Sequence, residues 1–369
     1  MRTCKILFIA LAATAFSACN MDRTLEYVAP DINVSANVEA NAVTTRAIDN
    51  GATATSGSKY TTTEFQNSGN FLPNTSIAVY VEEVDPTTGK KVASSNMNYA
   101  TPAEYINDNN TDYSKFRGKL ATQSFPTSGK NVKVYAFYPY SEFSAITDRT
   151  LLANETHQFT VQTDQTTIAN YRSSDLMADS IVGTGTPKPG IRNTTAALNF
   201  KHLLSKVTII VKRNSGITDA QLNGAVVWIK NTNTSASLNM NKMYLNETSI
   251  GSHDYTHASG SANNIKVMAL ATGDLPNSID DASPSEIKAS AIVVPQPIGT
   301  TNPFITVALT AASGSGEFKY TPGTTFNLVG GNEYIYTITI KNQGIDVEGV
   351  ITAWDDNSGA NTGSGDATL

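Results

Sequence analysis

INVSANVEANAVTTR, residues 32–46, is the stretch from which the rest of the chain is read. Ile32, Val34, Ala36, Val38, Ala40 and Ala42 are apolar at a spacing of two, with Asn33, Ser35, Asn37, Glu39 and Asn41 between them. Successive side chains of a strand point to opposite faces, so this spacing predicts a β-strand with one buried face. Val43, Thr44, Thr45, Arg46 and Ala47 follow, a site open to an Arg-specific protease, and then a spacer rich in Gly, Ser, Thr and Ala over residues 50–58. A strand placed just ahead of a cleavable arginine reads as removable. Its departure would leave an apolar groove and an unpaired strand edge that another chain's strand can fill.

The N-terminus places that strand in an exported chain. Arg2 and Lys5 precede an apolar run over residues 6–16, far shorter than the roughly 20 residues of a membrane span, so residues 1–18 read as a signal peptide. The run ends Phe16, Ser17, Ala18, Cys19, which resembles the lipobox of bacterial lipoproteins, where cleavage precedes the cysteine and its thiol carries diacylglycerol; Phe16 departs from the usual Leu. An ordinary secretory signal with an incidental cysteine is the plainer reading of the same residues. Cys4 lies inside the signal, so no disulfide is expected in the mature domains and their own cores must hold them. The 26 basic and 32 acidic residues, net −6, argue against nucleic acid as a partner.

From residue 60 onward, short apolar alternations are separated by Pro, Gly, Asn, Asp and Ser, the pattern of all-β domains. Ile77, Val79 and Val81 alternate and lead to a turn at Asp85, Pro86, Thr87, Thr88 and Gly89, which predicts a hairpin. Val132, Val134, Ala136 and Tyr138 form another strand, and the aromatics on its opposite face predict burial between two layers. Thr101 and Pro102 ahead of Ala103, Glu104 and Tyr105 read as the start of one short helix. The run Gly183, Thr184, Gly185, Thr186, Pro187, Lys188, Pro189, Gly190 reads as a linker, giving domains at 47–190 and 191–369 after a propeptide at 19–46. Beyond it, residues 197–211 form two strand-like halves joined at Ser205, and further strands follow at intervals typical of a β-sandwich.

The last strand candidate mirrors the first. Ile345, Val347, Gly349, Ile351 and Ala353 alternate with polar or small residues and end at Trp354, matching the leader strand in side-chain size. The two are plausible tenants of one groove, each apolar side chain contributing roughly 1 to 2 kcal/mol on burial. Periodicity alone favours two ordinary strands, each in its own domain.

Sites for chemistry are few. His253 and His257 are four apart but sit among Gly251, Ser252, Ser259 and Gly260, a loop composition, and no metal site is assigned. His202, beside Leu203 in a strand-like run, reads as a core or interface histidine, and His157 has no evident partner. Asp274, Asp280, Asp281 and Glu286 lack the glycine and ligand spacing of a calcium loop. No nucleophile elbow, phosphate loop or dinucleotide fingerprint is present, so no catalytic residue or cofactor is assigned. Trp228 and exposed-looking tyrosines are candidates for stacking on sugars.

Several segments together resemble the fimbrillin family, the type V pilins: VYAFYPY at 134–140, SDLMAD at 174–179, LNFKHLLSKVTIIV at 198–211, IVVPQ at 292–296 and FNLVGGNEYIYTITIKNQGIDVEGVITAW at 326–354. The resemblance implies two tandem β-sandwich, transthyretin-like domains and export as an outer-membrane lipoprotein precursor lipidated at Cys19. It also implies cleavage between Arg46 and Ala47, followed by polymerisation into an extracellular fimbrium as a C-terminal donor strand of one subunit fills the next one's groove. Ile345, Val347, Ile351, Ala353 and Trp354 would lie in that donor region, 345–369. The tail after Trp354 is rich in Gly, Ser, Asn and Asp, where a stalk subunit should carry a further apolar segment. A tip or accessory adhesin, accepting a strand without giving one and recognising a glycan or protein on a host or bacterial surface, is therefore the alternative.

Overall fold

Two sets of apolar residues, on opposite faces of the same strands, organise this molecule. The computed structural model describes residues 31–38, 71, 74–84, 103–107, 114–120, 124–125, 131–144, 156–183, 195–214, 216–223, 225–239, 255–257, 262–268, 286–309, 316–341, 344–353 and 361–364. In chain order the strands are β1 (Asn33–Val38), β2 (Ser76–Val84), β3 (Ala103–Ile106), β4 (Lys115–Gly118), β5 (Asn131–Tyr138), β6 (Thr156–Thr160), β7 (Met177–Gly183), β8 (Thr195–His202), β9 (Ser205–Arg213), β10 (Val226–Thr232) and β11 (Ser235–Asn239). They continue as β12 (Tyr255–His257), β13 (Asn263–Met268), β14 (Glu286–Val293), β15 (Pro297–Ile298), β16 (Ile305–Ala308), β17 (Glu317–Tyr320), β18 (Phe326–Asn327), β19 (Asn332–Lys341), β20 (Gly344–Ala353) and β21 (Asn361–Ser364). The chain is thus all-β, with short helices at Tyr140–Phe143, Ile168–Ser174 and Asp219–Asn223 among the described residues.

Seven strands close into a barrel in the order β1, β4, β3, β2, β5, β7, β8, where the family resemblance implies a β-sandwich. The ring closes because β1 pairs in parallel with β8 and antiparallel with β4. Ile77, Val79 and Val81 of β2 and Val132, Val134, Ala136 and Tyr138 of β5 fill its interior with Phe116 and Phe200. The other face of the same two strands, Ala78, Tyr80, Tyr135 and Phe137, joins a second, larger core. Burial of β5 on both faces, expected from its aromatics, is therefore what the fold uses to couple barrel and remainder.

That second core lies between two sheets, β13-β10-β16-β17 and β14-β9-β19-β20-β21. Val227, Ile229, Ile265, Ile305 and Val307 of the first meet Val207, Ile209, Val211, Ile287 and Ile338 of the second in one apolar cluster. In β9 and β19 the parallel register runs from Glu333 beside Lys206 to Ile340 beside Arg213.

One local expectation is corrected, and the strand pairing describes where the sheets divide. The Thr101–Pro102 helix start is overridden, since Ala103 to Ile106 is strand β3, antiparallel to β2, and alternation of buried Ala103 and Tyr105 with Glu104 and Ile106 outweighs the local capping signal. Sheet membership changes between His202 and Ser205: the first half of the 197–211 run completes the barrel and the second opens the next sheet. The division is also not a single point, because β6 pairs with β11 and Phe159, Val161 and Tyr171 are buried in the second core. The turn expected at 85–89 lies outside the described residues, and the described partners of β2 are β3 and β5.

Candidate functional site at the barrel seam

The predicted leader strand is the strand that closes the barrel. Ile32 and Ala36 have no exposed surface and Val34 is 2% exposed, while Asp31 and Asn33 face solvent. Each inward residue meets the barrel core where the alternation expects it. The two sides of the seat differ. Along β8, Asn33 to Val38 pair with Thr195 to Phe200, six residues in register; along β4 only Val34 with Phe116 and Ser35 with Lys115 pair.

Most of the polar grip on this strand is independent of its side chains. Ala36 N donates to the Ser114 carbonyl at 2.8 Å, and Tyr105 Oη donates to the Ile32 carbonyl at 3.1 Å inside the barrel. Among the described side chains, Asp31 contributes its Oδ1, which accepts from Ser124 Oγ at 3.1 Å. A seat that grips backbone asks of its strand only small apolar side chains at alternate positions. Beneath the strand, Phe71 joins the two flanking strands, its ring 5.3 Å from Phe116 of β4 and 5.0 Å from Phe200 of β8, both edge-on. Tyr138 completes the group at 5.9 Å. Burial, and then the Asp175 carboxylate, push the Tyr138 phenol well above its ordinary range, against an opposing contribution from Arg172.

A buried histidine–carboxylate contact stands at the end of β8. His202 Nδ1 lies 2.9 Å from Asp175 Oδ1, and both side chains have no exposed surface. Met177, two residues after Asp175, is the β7 partner of His202, so the pair knits the barrel wall to the helix Ile168–Ser174 that feeds it. His202 is the core histidine that its setting predicts; Asp175, inside the SDLMAD segment, is the partner that sequence reasoning missed. Two glutamines were missed altogether. Gln165, fully buried, receives a bond from Ile292 N at 2.9 Å and donates to the Ile292 carbonyl at 2.8 Å. Gln296 does the same to Asn233, at 2.7 and 2.9 Å. The signal available for Gln296 was its place in the IVVPQ segment.

The candidate donor residues sit within their own sheet. β20 pairs antiparallel with β19 over ten residues, from Gly344 beside Lys341 to Ala353 beside Asn332, with Ile351 opposite Tyr334. Ile345 and Val347 are 6% and 7% exposed, and β21 pairs with Glu348 to Ile351 from the other side. Cys19, Ala40, Ala42, Arg46, Ala47 and Trp354 lie outside the described residues, as do His253, Asp274, Asp280 and Asp281. His257 pairs with Ala236 in strand β12, and His157 with Leu238 in β6.

Residues 45–354 match the model of the fimbrillin-like family, a match that begins after β1 and beside Arg46. A protein of Bacteroides uniformis named as a candidate fimbrium subunit, Fim1C, is 27% identical over 294 residues, spanning 78% of this chain and 80% of that protein. Two crystal structures of candidate cell adhesion proteins are similar in fold. The one from Bacteroides uniformis has a TM-score of 0.54 at 20% identity, covering 88% of this chain and 99% of its own. The one from Bacteroides ovatus has a TM-score of 0.56 at 17% identity, covering 89% and 99%.

Proposed function

Because the chain belongs to the fimbrillin-like family, we propose that it is a structural subunit of a surface fimbria whose barrel is closed provisionally by β1. In this reading it is exported as an outer-membrane lipoprotein precursor anchored at Cys19. An Arg-specific protease cuts between Arg46 and Ala47, β1 leaves, and a segment from the C-terminal region 345–369 of the next subunit enters the seam. The observation that carries it is the geometry of the seam, where a strand ahead of Arg46 holds three inward apolar residues between β8 and β4 and is gripped chiefly through its backbone. The start of the family match at residue 45 supports it, since the seat belongs to the matched region and its occupant does not. The incoming strand would run parallel to β8 and antiparallel to β4, with small apolar residues at a spacing of two. Partners are thus other fimbrial subunits, and no catalysis by this chain is required.

The ten-residue pairing of β20 with β19 favours a second reading. If β20 does not leave its own sheet, the polar segment 354–369 that follows it is a poor donor, and the protein is a tip or accessory adhesin that accepts a strand without giving one. One experiment separates these readings. The purified precursor is treated with an Arg-specific protease, its mass measured, and cut and uncut samples compared for polymer by electron microscopy. A new N-terminus at Ala47 with polymer only after cutting is the expected outcome, and R46A should block both. A segment 32–46 that resists the protease and stays seated would overturn strand removal and leave an anchored surface lipoprotein.

A further inference from the structure

The solvent face of the four-stranded sheet carries a feature that fimbrial assembly does not use. β10 alternates, with Val227 and Ile229 buried in the second core and Val226, Trp228 and Lys230 partly exposed on the opposite face. Trp228 is therefore held on an inner strand, flanked by β13 and β16, with Lys266 directly across on one side and Thr306 on the other. Lys230 Nζ lies 4.7 Å and Lys266 Nζ 6.0 Å from the centroid of the Trp228 ring. Lys319 follows in the same cross-strand row, opposite Thr306.

The charges are uneven. Lys319 is paired with Glu317 at 3.0 Å, but among the described residues no carboxylate lies within ion-pair distance of Lys230 or Lys266. Asp164 feels the charge of Lys266, yet its Oδ1 is taken by the backbone N–H and hydroxyl of Thr166. Two ammonium groups thus converge on one indole in a chain of net charge −6. A ring face of this kind attracts cations through its quadrupole, and Lys230 and Lys266 supply them here. An anionic ligand would draw them off the ring into charge-assisted hydrogen bonds and leave the indole free to stack.

We propose that Trp228, Lys230 and Lys266 form a binding site for a carboxylated saccharide. A pyranose presents a flat apolar C–H face of the size of an indole, and a uronate or sialate carboxylate supplies the single negative charge that the two lysines lack. A polyanion is the poorer match, because the acidic chain repels it as a whole and a long basic stripe is what such ligands require. The site stands on a different sheet from the seam and is independent of strand removal.

Tryptophan fluorescence tests this on the full chain in a W354F background, where Trp228 is the remaining tryptophan. The methyl glycoside of galacturonate and sialyllactose are the probes, and the methyl ester of the former and plain lactose the neutral controls. Saturable change with at least one acidic probe, loss of its binding by titration calorimetry in W228A, which carries no fluorophore in this background, and weakening by roughly tenfold in K230Q/K266Q with unchanged circular dichroism and melting are expected. Equal binding of the neutral controls, full affinity in K230Q/K266Q, or no saturation by either acidic probe at millimolar concentration would each overturn the site. No protease or polymer enters the titration, so its failure leaves the fimbrial reading untouched.

Discussion

Ile32 concentrates the seam in one side chain: it is fully buried, and its carbonyl takes the Tyr105 hydroxyl. I32A should cost the uncut precursor about 2 to 4 kcal/mol by loss of buried methylenes and a residual cavity, read as a lower urea midpoint. After cleavage and release of β1 the variant should unfold like the parent, because the altered residue has gone; a difference that persists would mean that the strand stays seated. At this scale, the inward faces of β1 and β5 were legible, since alternation at a spacing of two is a local property. The Asp175–His202 pair was legible only by half. A buried histidine in an apolar run announces that it needs a partner, but nothing local names a carboxylate that the end of the helix Ile168–Ser174 brings to 2.9 Å. Gln165 and Gln296 were silent for the same reason, as a glutamine in a turn-rich segment looks solvated until the backbone it clasps is in place.

Among the elements, β1 and β20 make an instructive contrast. They have similar alternation and side-chain size, yet β20 is held along its whole length by β19, whereas β1 has full pairing on one side and two paired residues on the other. V347D, which places a carboxylate in the second core, should lower stability by about 3 kcal/mol or more. Removal of residues 355–369 should cost about 1 kcal/mol or less, because a short edge strand frays readily. Both follow from urea midpoints of the monomer. The same truncation then decides the donor: if the monomer is intact but polymer is lost, the tail is what is given to the neighbour. The short helix expected around Ala103 failed at this scale. Its capping signal was real, but a four-residue segment beside β2 gains more by pairing than by an isolated turn of helix.

For the whole molecule, one continuous core couples the outer wall of the barrel to the two sheets beyond it, and a single cooperative unfolding transition is expected. Its pH dependence follows from buried phenols. Burial raises Tyr80, Tyr138, Tyr320, Tyr334 and Tyr336, and pushes Tyr171 up to about 12 from 10.0. The unfolded chain therefore loses these protons first, so stability is full below about pH 10 and falls as pH rises toward and past the folded values. Tyrosinate absorbance and loss of far-ultraviolet circular dichroism should rise in one step; separate steps would mean that the phenols ionise in the folded state. On the acid side, burial raises Asp164, but its bonds from Thr166 and the charge of Lys266 outweigh that and hold it below 3.8. Its contribution is present above that value and is lost as pH falls through the lowered one.

The sequence by itself determined that the chain is all-β, which face of each long strand is apolar, that a strand precedes Arg46, and which family it resembles. These are properties of neighbours along the chain: periodicity, turn residues and short segments in order. Only the tertiary structure decided that the first sheet closes into a ring, that β8 ends it, that the β6 segment crosses to the second core, and that β20 belongs to its own sheet. Each is a choice of partner between strands far apart in the chain. Alternation at a spacing of two states that a strand has an apolar face, but strands with similar faces compete for the same neighbours, and the choice among them is settled by how the whole set of faces is buried at once.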